Sequence, residues 1–167
     1  VGYSKNTRSH FEEQDTWETG IVGNTLHSDG WLNRHLATSA GRGPLRAVSI
    51  GESLPRILHG RAQAVAMRGI DDLVLPSSKA PPETVAAALE HAYCCGADAR
   101  RSLRGPAMDL LSQSTKMTLD GVRELRELAK EKDTNSESYP KNGLGRKLAQ
   151  VARLIKADVG LEVAQVD

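Results

Sequence analysis

Leu45-Arg46-Ala47-Val48-Ser49-Ile50-Gly51 is the stretch on which the fold turns. The run alternates and then stops at a glycine. Short alternating runs with β-branched residues that end at Gly read as a strand leaving into a loop. The segments on either side decide what kind of sheet this strand joins.

Downstream, Glu52-Ser53-Leu54-Pro55-Arg56-Ile57-Leu58-His59-Gly60 reads as a loop or a single helical turn, anchored by Leu54, Ile57 and Leu58. Ala64-Val65-Ala66-Met67 and Leu73-Val74-Leu75 are two further strand candidates, separated by Gly69 and Asp71-Asp72. Pro81-Pro82 fits the first turn of a helix, where a missing N–H costs nothing. The alanine-rich run from Thr84 to Ala92 continues it. Met108 to Lys130 is the longest helical pattern, with Leu111, Val122, Leu125 and Leu128 on one side. Gly121 weakens its middle, and Arg123, Glu124, Arg126 and Glu127 form its solvated face.

Residues 131–142 are polar and aperiodic, as a surface loop is. Leu144, Leu148, Val151, Ala152 and Ile155 then give the clearest amphipathic helix in the chain, with Gly160 in the place of a terminating glycine. Leu161 to Val166 is a closing strand. Strands interleaved with helices predict a single α/β domain over 1–167, a mostly parallel sheet flanked by helices.

Upstream, Trp31, Leu32, His35 and Leu36 recur at helical spacing, and 20–30 is rich in turn residues. Before them stands Gly2-Tyr3-Ser4-Lys5-Asn6-Thr7-Arg8-Ser9-His10-Phe11-Glu12-Glu13-Gln14-Asp15-Thr16-Trp17-Glu18-Thr19-Gly20. It reads as a loop running into a short helix near Phe11–Trp17, at the rim of a polar site. The plainer reading makes the hydroxyls turns and caps, Phe11 and Trp17 anchors in a core, and Asp15 structural.

The chain has 167 residues, enough for a real core, with 39% apolar and 26% charged side chains. Aromatics are only 4%, so the core rests on Leu, Val, Ile and Ala. A net charge of +1 gives no electrostatic support for nucleic-acid binding. No apolar run approaches the ~20 residues of a membrane span. Cys94 and Cys95 are adjacent, a spacing that suits neither a structural disulfide nor a cysteine zinc site.

Complete catalytic signatures are absent. Gly41-Arg42-Gly43 lacks the spacing and the Lys-Ser/Thr ending of a phosphate loop. There is no Gly-x-Ser-x-Gly elbow. Asp71-Asp72 reads as a turn rather than a metal pair, and His27, His35, His59 and His91 have no obvious partners in sequence.

Several phrases nevertheless occur together and in order: Val1-Gly2-Tyr3, Asn6-Thr7-Arg8-Ser9-His10-Phe11, Gln14-Asp15-x-Trp17-x-Thr19-Gly20, Gly30-Trp31-Leu32-x-Arg34, Leu45 to Gly51, Leu54-Pro55-Arg56, and Leu144-Gly145-Arg146-x-Leu148-x-Gln150-Val151-Ala152-Arg153-Leu154-Ile155. Together with the closing strand they resemble the DUF1501 family, of the alkaline-phosphatase/sulfatase-like superfamily. The resemblance implies an alkaline-phosphatase-like fold of which this chain is an internal part. It would start after a first strand with a Gly-Gly-Asn-Asp-like loop and stop before a Gly-Gly-x-Asp-Thr-His segment.

The same resemblance implies export by a twin-arginine signal, to a periplasmic or extracellular place. It also implies a divalent metal ion, with most ligands outside these residues, and a small anionic ester as substrate. Metals in such sites lower the nucleophile's pKa and neutralise charge on the transferred group. By resemblance the nucleophile is one of Ser4, Thr7 and Ser9. Ser9 is preferred because it adjoins His10, with Arg8 binding the anion through its forked donors and His10 as a metal ligand or its neighbour. The expected function is phosphate or sulfate ester hydrolysis, absent from the isolated segment. The alternative is a non-catalytic exported binding or surface protein that keeps the fold.

Overall fold

A computed structural model describes residues 9–23, 29–72, 81–95, 106–131 and 138–166, apart from the side chains of residues 72, 82, 94, 95, 106 and 107. The chain divides into two compact units. One is Val1–Met67 with Gly160–Asp167, and the other is Arg68–Val159.

The first unit holds helices α1 (His10–Thr19) and α2 (Trp31–Thr38) and strands β1 (Ala47–Ile50), β2 (Val65–Met67) and β3 (Val163–Val166). The strands form a small parallel sheet flanked by helices, in the order β2-β1-β3. Val48 lies opposite Val65 on one side and Ala164 on the other. The stretch that opens the sequence reading is thus the central strand. All four β1 residues are buried, as expected of a parallel strand covered on both faces. On one face Ala47 clusters with Leu36 of α2 and with Leu58, and Leu32, Leu54, Ile57 and Val163 close around them. Burying an aliphatic side chain of this size contributes roughly 1.5–3 kcal/mol.

Helix α2 runs against the strands. Its start touches the segment that leaves β1, where the Gly30 amide donates to the His59 carbonyl (2.8 Å). Its end meets the residues that precede β1 and β3: Ser39 donates to Glu162 (2.8 Å), and Arg46 donates to the Leu36 carbonyl (2.9 Å). The connection of residues 51–64, with a 3-10 turn at Arg56–Leu58, leaves the carboxyl end of β1, packs with Leu36 and Ala47, and returns to the amino end of β2.

The second unit holds α3 (Pro82–Glu90), a π-helical turn (His91–Cys95), α4 (Pro106–Lys130), α5 (Gly143–Lys156) and a 3-10 turn at Ile70–Asp72. Proline stands in the first turn of α3, as predicted. α4 is continuous through Gly121 and buries Leu119, Val122, Leu125 and Leu128, while Leu111 stays outside.

Two expectations are corrected in α5. Its buried side carries Gly145, Ala149, Arg153 and Leu154, whereas Leu144, Leu148 and Ile155 are exposed. Polar anchors fix that orientation. Gln150 accepts from the Ile70 amide (3.1 Å), and Arg153 donates to the carbonyls of Leu128 and Glu131. The helix also ends at Lys156 rather than at Gly160. The amides of Ala157 and Asp158 close the last turn, and Asp158 takes the left-handed conformation at φ 51°. The third strand candidate, Leu73-Val74-Leu75, lies outside the described residues.

Candidate functional site

Ser9 is the N-cap of α1. Its backbone is extended (φ −101°, ψ 115°), and its Oγ accepts from the Glu12 amide (3.4 Å). Its carbonyl accepts the first helical bond, from the Glu13 amide (3.1 Å), while its Oγ caps a first-turn N–H that has no carbonyl of its own. His10 is the first helical residue and is exposed. Ser9 and His10 thus stand side by side where the helix dipole is positive. Arg8, and the alternative nucleophiles Ser4 and Thr7, lie outside the described residues.

Ion pairing and carbonyl capping fix α1 in the first unit. Asp15 pairs with Arg56 in the turn that follows β1. Arg34 of α2 donates to the carbonyls of Thr19 (2.6 Å) and Asp29 (2.7 Å). Gly20 ends the helix in the left-handed region (φ 67°), with its amide bonded to the Thr16 carbonyl (2.8 Å). These contacts hold α1 against α2 and the 3-10 turn of the β1–β2 connection. Asp15 has the structural part expected of it.

The aromatic residues of the stretch differ from the sequence reading. Phe11 is 80% exposed and Trp17 63%, so neither anchors a core. The stretch is joined to the unit by Asp15, Thr19 and Gly20 instead.

The β1–β2 connection is organised by a residue that no motif marks. Asn33 of α2 is buried and donates to the carbonyls of Leu58 and Ala62 (2.7 Å each), while its Oδ1 accepts from the Ala62 amide (2.9 Å). On β1, Ser49 is fully buried and donates to Gln165 of β3 (2.7 Å). For Ser49 the available signal was a polar residue in an otherwise apolar strand; Asn33 stands among other polar residues of α2 and carried none.

The remaining histidines and acids are scattered. His59 Nε2 lies 2.9 Å from the Leu54 carbonyl. His35 and His91 are exposed, and His27 lies outside the described residues. Asp71 faces Arg153 (3.3 Å). Among the described residues no group of three or more His, Cys, Asp or Glu side chains converges as a metal site would require. These residues therefore do not by themselves fit a divalent ion, and His10 lacks co-ligands among them. No helix among them is long and apolar enough to cross a membrane.

At the amino ends of the strands is a third polar cluster. Arg46 Nε donates to Glu162 Oε1 (2.6 Å), and Arg46 also donates to Ser39. The Arg46 guanidinium and then the Ser39 hydroxyl hold the Glu162 carboxyl below its usual range. A Cβ at Gly41 would collide with that carboxylate. This cluster ties α2, β1 and β3 together at the amino end of the sheet.

Comparison with protein-family models, with curated proteins and with solved structures gives no match for this chain.

Proposed function

We propose that the chain is part of a DUF1501-type protein of alkaline-phosphatase-like fold, and that the whole protein is an exported, metal-dependent hydrolase of phosphate or sulfate esters. The feature that carries this reading is Ser9 itself: a hydroxyl at a helix N-cap, next to His10, in the phrase whose resemblance implies the nucleophile. In the reaction Ser9 Oγ attacks the phosphorus or sulfur atom. A bond forms to Oγ, the bond to the ester oxygen breaks, and the alcohol leaves. Water then releases the anion and restores the serine.

The first-turn amides of α1 favour the alkoxide and the transferred group. Glu12 and Glu13 in the same turn oppose an anion, so Arg8 is needed to supply positive charge there. A bound metal would supply Lewis acidity, with ligands from outside this segment joining His10. The 167 residues alone are accordingly inactive.

The test is turnover of aryl phosphates and aryl sulfates by the metal-loaded full-length gene product. The expected result is hydrolysis that Ser9→Ala lowers by about a thousandfold or more. Absence of turnover across the panel, or an active Ser9→Ala variant, would overturn it. The outward aromatic rings of Phe11 and Trp17 favour the second reading, a non-catalytic exported binding protein. In that case ligand affinity falls on Phe11→Ala and Trp17→Ala and is indifferent to Ser9→Ala.

A further inference from the structure

Asn142-Gly143 is the one Asn-Gly pair in the chain; Asn6, Asn24, Asn33 and Asn135 precede Thr, Thr, Arg and Ser. Such a pair has a chemistry of its own. The backbone nitrogen that follows an asparagine can attack the side-chain carboxamide, and glycine leaves that nitrogen least hindered. The fold sets this pair at the start of α5. Asn142 and Gly143 are both exposed, so water reaches them. Asn142 is also the N-cap of the helix. Its Oδ1 accepts from the Gly145 amide (2.7 Å), and its carbonyl accepts from the Arg146 amide (3.1 Å). Gly145 lets the Pro140 carbonyl lie against the same turn, where a Cβ would collide with it.

These bonds oppose the reaction. The Asn142 backbone is extended, with φ −94° and ψ 176°. To reach Cγ, the Gly143 nitrogen must swing about ψ toward the side chain. The Asn142 carbonyl swings with it and leaves the Arg146 amide, and Cγ turns away from the Gly145 amide. Attack therefore requires the first turn of α5 to open, an event local to that turn. We infer that Asn142-Gly143 is a site of spontaneous deamidation, held closed by the α5 cap and reacting through the opened first turn. The Gly143 nitrogen gives up its proton and bonds to Cγ. The Cγ–Nδ2 bond breaks, and ammonia leaves with that proton. Water then opens the cyclic imide at either carbonyl. One product is ordinary aspartate, which still caps and adds negative charge at the helix N-terminus. The other is isoaspartate, whose longer main chain and shorter side chain remove the cap. The inference stands on the start of α5 alone and is independent of the hydrolase reading.

The test is peptide-mapping mass spectrometry of the full-length gene product, aged in mildly alkaline buffer with and without urea, beside a synthetic peptide of residues 139–146. Conversion of Asn142 in the native protein is expected to be slower than in the peptide by about tenfold or more, and to reach the peptide's rate in urea. Isoaspartate methyltransferase labels the converted site. Gly143→Ala adds a Cβ that meets open space, so native circular dichroism is unchanged. In urea, where folding plays no part, the same variant slows conversion by about tenfold or more. The inference is overturned if native Asn142 reacts as fast as the peptide, or does not react in the native protein at all. It is also overturned if another asparagine reacts equally fast in urea, or if Gly143→Ala leaves the rate in urea unchanged.

Discussion

Asn33 and Glu162 set local order in the first unit, and each gives a measurable consequence. Asn33 satisfies two carbonyls and one amide of the β1–β2 connection from within a buried site. Asn33→Ala leaves those groups buried without partners, at about 1–3 kcal/mol for each one that water cannot reach. Urea denaturation is expected to show a loss of at least about 2 kcal/mol, from that same range. Glu162 gives a pH signature. Its folded carboxyl lies below the ordinary value of 4.5, so its contribution is complete above that value and is lost as the pH falls through the folded one. Glu124 on α4 has the opposite sign. Burial and then the nearby Asp120 raise its pKa, so ionising it disfavours the fold as pH rises. Comparing the natural chain with Glu162→Gln isolates the first effect. The stability gap between them is expected near neutrality and should close below about pH 4.5. Of these residues Asn33 and Glu162 were not legible, because their partners are 25 to 29 residues away in one case and 116 in the other. Ser9 and His10 were legible as neighbours, and the cap role of Ser9 follows from the Ser-x-x-Glu spacing to Glu12.

At the scale of elements, periodicity located the helices and gave the inward side of α4, but it gave the wrong inward side for α5. The spacing of α5 was plain, yet its aliphatic row is outside and its small and polar row inside. The physical reason is Arg153, a buried guanidinium that caps the end of α4 and so dictates the rotation of α5. Arg153→Ala strands the Leu128 and Glu131 carbonyls and is expected to cost about 2–5 kcal/mol in denaturant unfolding. Asp71→Ala is expected to cost under about 1 kcal/mol, since that carboxylate is largely exposed and its pairing with Arg153 is screened. An equal loss in the two variants would show that the ion pair, rather than the carbonyl caps, holds the helix. Gly160 misled for a related reason: Asp158 already supplies the left-handed residue after the helix, at a position where sequence reading looks for glycine.

At the scale of the whole molecule, the α/β class was legible because Leu45 to Gly51 is a buried strand and 161–166 returns beside it in parallel. Ile50, fully buried in β1, tests that arrangement: Ile50→Ala is expected to lower unfolding stability by about 2–5 kcal/mol. The alkaline-phosphatase-like identity is a proposal that rests on motif resemblance and gives Ser9, the N-cap of α1, the part of nucleophile. Catalysis through that serine requires a covalent ester on its Oγ. Mass spectrometry of the metal-loaded full-length gene product, acid-quenched during turnover of an aryl phosphate and digested, looks for that ester directly. The account predicts one added phosphoryl group on Ser9, abolished by Ser9→Ala. A phosphoryl group on Ser4 or Thr7, or turnover with no modified serine or threonine in this stretch, would contradict it.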